Sequence, residues 1–372
     1  MTRFAAILLS RQPLRPNGQT SWIKQVAAAV AWLKTKNYGL AGSTGIQTWE
    51  LITALAVREK MPLRFFVPLA EPEEFPSECD SLTYQFDLDA DLTEFIPVYG
   101  SEKAPSPASL MARRDRLIVK QAHLLLPVSI REDGGMSNLL TVARAFGREV
   151  NCEFEIKHEE RNDPMAADFS DHPVNSEICN LDREYVVHWT RATNGPWPGE
   201  RLRDFYRDVL ALKTWPRSGL ATLKRILEQK GIIASFRHMP AGVATVSFSA
   251  LPPTEVVPLM KWRSRYRHMS FEPYGVGIAR ATAESAGIEA VRYVDPSDGS
   301  RPEDERWLFQ SRGRVTDWRQ EKEYRVRGDF SLAGIPPEDV VLFCRKPQEA
   351  ELLRQEFPYR VIPMFALGGN SI

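Results

Sequence analysis

From Phe4 onward, apolar and polar positions alternate in two distinct periods. Short continuous apolar runs at residues 4–9, 38–41, 63–68 and 123–128 read as buried strands. Between them lie helical stripes. Trp22, Val26, Ala29, Val30 and Leu33 follow a cap at Thr20 or Ser21, a second helix spans residues 47–60, and Ser106-Pro107 opens a third with Leu110, Leu117 and Ile118 on one side. Residues 71–100 are acidic and proline-bearing and read as irregular. The strand at 123–128 leads to Asp133-Gly134-Gly135, where two glycines permit a tight, positive-φ turn. A helix follows, capped by Ser137 or Asn138, apolar at Leu139, Leu140, Val142, Ala143 and Phe146, and stopped by Gly147. Residues 149–156 read as one more strand. This regular alternation predicts an α/β domain, a doubly wound parallel sheet of Rossmann-like type.

The pattern changes after residue 157. Residues 158–181 are polar with little apolar periodicity and read as a linker. From 182 to 372 strands dominate: residues 185–190, 243–249, 274–278, 290–294, 323–326, 340–345 and 359–363. Helices are expected around Leu202 to Val209, after a Ser218 cap, and at 348–356. This irregular order predicts an α+β domain.

Composition narrows the function classes. The 372 residues carry 48 basic and 48 acidic side chains, so no global charge draws the chain to nucleic acid or membrane. Four cysteines (Cys79, Cys152, Cys179 and Cys344) stand far apart without a CxxC pair, which argues against a zinc site or a disulfide frame. The apolar run behind Arg3 is too short for a signal peptide and no run reaches membrane-spanning length. A cytoplasmic protein without metal and without membrane contact is the expectation.

Candidate chemistry gathers at two glycine turns. Gly42-Ser43-Thr44-Gly45 and Gly134-Gly135 both follow strands and precede helices, where free N–H groups face the carboxyl edge of the sheet. Arg113 and Arg114 lie near the apolar stripe of their helix and supply two cations for an anion site; the plain alternative is a pair of surface cations. Residues 261–268 (KWRSRYRH) interleave cations with aromatics, suited either to single-stranded nucleic acid or to a snorkelling helix face. Glu323 begins a strand inside a charged run, so a solvated edge residue is its plain alternative.

The first domain resembles the SLOG superfamily, the Rossmann-like fold shared by DNA-processing protein A and the LOG phosphoribohydrolases. The resemblance rests on Ala41-Gly42-Ser43-Thr44-Gly45, Arg113-Arg114 and Asp133-Gly134-Gly135-Met136-Ser137. It implies a nucleotide or nucleic-acid-like ligand at Gly42, Ser43, Thr44, Gly45, Arg113, Arg114, Gly134, Gly135 and Ser137. The glutamate that follows the LOG loop is missing here, which favours sensing over phosphoribohydrolase activity. The second domain resembles the C-terminal part of AbiGi-type abortive-infection proteins and is similar to the ADP-ribosyltransferase fold. The resembling residues are His188-Trp189-Thr190, Ser247-Phe248-Ser249, Tyr274-Gly275-Val276-Gly277 and Glu323-Tyr324-Arg325-Val326. This implies NAD as substrate, held by His188, Thr190, Ser247 and Tyr274, with Glu323, His188 and Tyr274 catalytic. A carboxylate beside the ribose stabilises the charge that builds as the nicotinamide bond breaks.

Together the resemblances imply an anti-phage, abortive-infection protein. A nucleotide sensor would control an NAD-cleaving or ADP-ribosylating effector acting on a protein or nucleic-acid acceptor, as a homo-oligomer. The alternative is a non-enzymatic binding or antitoxin-like module. A nuclease is disfavoured because no His/Asp/Glu metal cluster stands out.

Overall fold

The computed structural model describes residues 2–100, 106–160, 169, 172–236, 239, 242–264, 266–294, 304–311 and 318–366. Two compact units emerge. Unit 1 comprises Met1–Asp163 with Glu200–Pro216, and unit 2 comprises Pro164–Gly199 with Arg217–Ile372. Part of the segment expected as linker lies outside the described residues. No described helix is long and apolar enough to cross a membrane.

Unit 1 is built on six strands: β1 (Arg3–Leu9), β2 (Tyr38–Ser43), β3 (Leu63–Leu69), β4 (Thr93–Tyr99), β5 (Leu124–Ser129) and β6 (Glu149–Val150). Every pairing is parallel, in the order β4-β3-β2-β1-β5-β6. Helices α1 (Ser21–Thr35), α2 (Gln47–Arg58), α3 (Phe75–Phe86), α4 (Pro107–Gln121) and α5 (Gly135–Ala145) connect them. The doubly wound sheet expected from the alternation is present. β2 and β5 are buried at every position, as a central parallel strand with covered faces requires.

Two stretches differ from the pattern reading. Residues 71–100 hold α3 and β4 in place of an irregular loop. α3 buries only Leu82 and Phe86, so its apolar stripe is too thin to read, and β4 carries Pro97, which an edge strand tolerates. The helix α6 (Leu202–Ala211), expected in the second domain, belongs to unit 1. Phe205, Tyr206 and Val209 join its core, and the Tyr206 hydroxyl donates to Glu50 Oε2 at 2.7 Å.

Unit 2 holds a mixed seven-stranded sheet with helices. Its strands are β7 (Tyr185–Trp189), β8 (Thr245–Ser249), β9 (Gly275–Ala279), β10 (Glu289–Ala290), β11 (Glu323–Arg327), β12 (Val340–Cys344) and β13 (Arg360–Pro363). Their order is β10-β11-β8-β7-β9-β12-β13, antiparallel except for the last pair. One face packs on a core including Val186, Phe248, Val276 and Leu342; the other packs on Val187, Trp189, Val341 and Phe343. Among the flanking helices, α7 (Gly219–Gln229) starts at the expected cap, with Ser218 Oγ accepting from the Ala221 N–H. Residues 262–263 and 268–269 form a small antiparallel hairpin, so the KWRSRYRH run is not a helix face; Arg265 lies outside the described residues.

Candidate functional site

In unit 1 the strand order reverses beside β1, since β2 lies on one side and β5 on the other. Loops leaving the carboxyl ends of such neighbours run in opposite directions and leave a crevice, the usual ligand position in an open α/β sheet. A cavity of about 810 Å³ occupies this place. Leu9 at the end of β1 with Ser10 and Arg11 after it, and Arg131 and Gly134 after β5, line it. The loops are tied together: the Ser10 N–H donates to Ser129 O at 2.9 Å, and the Arg131 N–H donates to Ser10 Oγ at 2.9 Å.

The turn into α5 departs from its expected form while keeping its expected place. The positive φ falls on Asp133, at 56°, and not on either glycine. Gly134 is the N-cap and Gly135 the first helical residue, so Ser137 lies inside the first turn and does not cap. Among the described residues no side chain caps α5, which leaves its first helical N–H groups without a side-chain acceptor there. A Cβ on Gly135 would meet nothing within 4 Å, so the backbone there borders open space.

The other glycine turn is filled. Gly42 and Ser43 belong to β2 itself; a Cβ on Gly42 would lie 2.7 Å from Thr53 Oγ1, and Ser43 Oγ donates to Phe66 O. At the turn, Glu50 Oε1 accepts from the Gly45 N–H at 3.1 Å and from Thr44 Oγ1 at 3.4 Å. A carboxylate of the chain itself occupies the anion position, favoured there by the helix N-terminus. Only the next residue, Ile46, reaches the cavity wall.

The arginine pair divides as well. Arg114 lines the cavity but is wholly buried and committed. It donates to Thr44 O at 2.7 Å, pairs with Asp115 at 2.8 Å and lies over the Trp49 ring. Its work is to clamp the α2 turn to α4. Arg113, half-buried, is not part of the wall. The cations that face the cavity are Arg11, Arg116 and Arg131, whose guanidinium groups make no hydrogen bond or ion pair among the described residues. The sequence reading passed over all three. Arg11 and Arg131 each stand two residues beyond a buried strand, on neighbouring strands, and that position was the available signal.

His158 was also missed, read as the first linker residue. The chain beyond β6 stays against β5, with the Ile156 N–H donating to Val128 O at 2.7 Å. This brings His158 to the cavity, with Nδ1 3.1 Å from Ser129 Oγ. Burial, then the charge of Arg131, hold the imidazole below its ordinary pKa.

In unit 2 the strand registers separate the residues expected to form one site. His188 pairs with Val276 and touches Phe248 edge-on, and Tyr274 and Thr190 follow on the same face. Ser247 and Glu323 alternate with Phe248 and Tyr324, so they stand on the opposite face. His188 Nδ1 lies 2.8 Å from the backbone carbonyl of Ser247. Burial is the chief cause that lowers the His188 pKa. The Tyr274 ring packs on Gly219 and its hydroxyl donates to Glu349 at 3.0 Å; burial and that carboxylate push the phenol well up.

Glu323 is engaged in a buried network. Arg325, 2% exposed, grips both its oxygens at 2.8 and 2.9 Å and also donates to Trp307 O and Gln310 Oε1. Ser247 Oγ adds a bond to Glu323 at 2.8 Å. Nearby, burial and then the Glu323 charge push Glu321 up to about 7, against the pull of Arg263 and Arg325. Among the described residues, no group of three or more His, Cys, Asp or Glu is placed to hold a metal ion.

No family model matches the chain, and no curated protein matches it. Two solved structures are weakly similar in fold. DNA processing protein A from Helicobacter pylori, described for its single-stranded DNA binding mode, is 11% identical with a TM-score of 0.31, over 42% of this chain and 68% of that one. DNA processing protein A from Streptococcus pneumoniae is 15% identical with a TM-score of 0.29, over 40% of this chain and 49% of that one.

Proposed function

We propose that unit 1 binds a nucleotide-type ligand, with its phosphate at the start of α5 in the crevice between β1 and β5. One observation carries this reading: an uncapped helix N-terminus opens on a cavity beside three arginines that have no partner among the described residues. Helix N–H groups and fixed guanidinium groups are the two donors that phosphate takes best. The volume, about 810 Å³, is in the range of small-molecule sites, and Ile46, Met136, Leu139 and Val142 give it apolar wall for a base or sugar.

This keeps the nucleotide-binding part of the sequence expectation and its Gly134-Gly135 turn at the start of α5, and puts Arg11, Arg116 and Arg131 in the place of the Gly42–Gly45 turn and the Arg113-Arg114 pair. It leaves out NAD cleavage by His188 with Glu323, because the two stand on opposite faces of one sheet. The test is calorimetry of the full chain with adenosine 5′-monophosphate, with inorganic phosphate as competitor. Binding that phosphate displaces, and that Gly135→Val weakens, is expected. Equal binding by wild type and Gly135→Val overturns the site.

A further inference from the structure

We infer that His158 selects a terminal phosphate monoester for this cavity by taking up a proton from solvent as the dianion binds. The inference rests on the anion-site reading above and names the ligand class for it.

His158 is held by a buried polar bracket. Its Nδ1 lies 3.1 Å from Ser129 Oγ and 3.5 Å from Gln12 Nε2, and these partners are 1% and 5% exposed. Gln12 is fixed in turn, donating to Ser10 O at 3.0 Å and to Ser129 O at 3.3 Å. The ring therefore has a set orientation, and Nε2 has no partner among the described residues.

The choice of a hydroxyl as the Nδ1 partner matters. A carboxylate there would keep the ring charged; Gln12 Nε2, already donating to Ser10 O and Ser129 O, is the more distant neighbour and leaves Ser129 Oγ as the nearer partner of Nδ1. Ser129 Oγ serves both states, donating to a bare Nδ1 and accepting from a protonated one by rotation of its hydroxyl. The bracket thus holds the ring in place across a change of charge.

Burial, and then the charge of Arg131, favour the neutral ring until a ligand arrives, against the Ser129 backbone, Glu159 and Glu160, which favour the charged one. Arg131 stands on the loop after β5 and Arg11 on the loop after β1. α4 contributes Arg116 and the Arg114–Asp115 pair, and Glu159 and Glu160 come from the segment of His158 itself. Burial and Arg131 act against the imidazolium in the empty cavity. A phosphate dianion among the same groups reverses the balance, since it lies against the arginines and offers His158 an opposite charge. A monoester carries nearly two charges above pH 7, and a diester carries one. Only the monoester gains the full benefit of the extra cation, so the cavity distinguishes a free nucleotide or strand end from an internal phosphodiester.

The sign is specific. Because the bound state holds a proton that the free state lacks, affinity rises as pH falls from about 8.5 to 6.5, by at most about tenfold per pH unit. Below about pH 6 the phosphate itself takes up a proton and the trend reverses.

The experiment is calorimetry of the full chain with adenosine 5′-monophosphate and with its 5′-methyl ester, at pH 7.5, in two buffers of different protonation heat. Proton uptake on monophosphate binding is expected, with the methyl ester about tenfold weaker and taking up less. His158→Gln, which retains a polar side chain of similar reach, should narrow the difference between the two probes and take up no proton. Monophosphate binding without proton uptake by wild type overturns the role of His158 and leaves the anion site intact. Unchanged uptake in His158→Gln does the same. No binding of either probe by wild type, with no heat from inorganic phosphate, overturns both.

Discussion

Arg131 of unit 1 and Arg325 of unit 2 show what an arginine at a sheet can be for. Arg325 is 2% exposed, and its guanidinium is consumed by Glu323, Trp307 O and Gln310. Arg131 is exposed, stands at the mouth of a cavity, and meets no acceptor among the described residues. A buried ion must be fully paired or the fold is destabilised; a solvated cation beside a concave wall leaves its attraction available to a ligand. The same contrast separates the glycine turns within unit 1. At Gly45 the chain supplies its own carboxylate, Glu50, and at Gly135 it supplies none. Neither spacing nor residue type distinguishes such pairs. The difference lies in what the rest of the fold brings to the donor.

The largest effect that would break this contrast belongs to Glu323→Gln. If Glu323 is the counter-ion of a buried arginine, its loss leaves a guanidinium charge without compensation and should cost about 3 kcal/mol of unit 2 stability. Thermal or denaturant unfolding measures it. Replacing Arg325 by Met in the same chain should recover much of the loss, because the unpaired charge is then gone. A Glu323→Gln protein as stable as wild type would show that Glu323 is free for other chemistry, and the NAD reading would deserve revival.

Glu321 offers the next largest effect. Its folded pKa, about 7, is raised above the ordinary 4.5 by burial and Glu323. A raised carboxylate gives stability that is complete below the ordinary value and lost as pH rises through the folded value. Unit 2 should therefore lose about 2 kcal/mol between pH 4.5 and 7 on this account, within the order of magnitude that linkage allows. Glu321→Gln should flatten that slope and be the more stable protein at pH 8. A slope that survives the substitution assigns it to another group.

Smaller still, and specific to the open site, is a comparison of two glycines. Gly135→Val should weaken adenosine 5′-monophosphate binding about tenfold and leave the melting temperature unchanged, since its Cβ meets no atom and only the approach of the ligand suffers. Gly42→Val should unfold unit 1 at lower temperature, because its Cβ would lie 2.7 Å from Thr53 Oγ1 and 2.8 Å from Leu63 Cδ1. Interchanged outcomes would mean that the Gly42 turn is the binding turn after all.

The sheet of unit 1 was legible because central parallel strands are apolar on both faces and therefore appear as unbroken runs. β4 was not, because an edge strand with a proline and a polar flank lacks that signature. α6 was read correctly as a helix and assigned to the wrong unit. Its stripe of Phe205, Tyr206 and Val209 states that a core must be met, and not which core. Of the residues that line the cavity, Gly134, Gly135 and Arg114 carry a pattern legible in the sequence, while Arg11, Arg131 and His158 do not. They are contributed by separate chain segments that only the strand order brings together. The expected set in unit 2 is divided by register. His188 and Glu323 each lie on a strand as predicted, but period-two alternation turns them to opposite faces once β7, β8 and β11 are aligned.

The smallest effect concerns Arg131→Gln, and its smallness is itself informative. Removing this cation deletes one charge-assisted contact to phosphate, which alone should weaken binding severalfold. Arg131 also opposes protonation of His158 across the same cavity. With Arg131 gone, the imidazole takes its proton more easily, and part of the lost attraction returns through the second cation. Net weakening of about threefold at pH 7 is expected, shrinking at high salt because the cavity is open to solvent. The pH at which affinity begins to fall should move upward, a change that a purely structural role for Arg131 would not produce. In His158→Gln the compensation is impossible, so adding Arg131→Gln to it should cost the full severalfold loss. A double-mutant cycle read by calorimetry measures this coupling. Simple additivity of the two substitutions would place Arg131 and His158 at separate sites and reduce the cavity to a surface of independent charges.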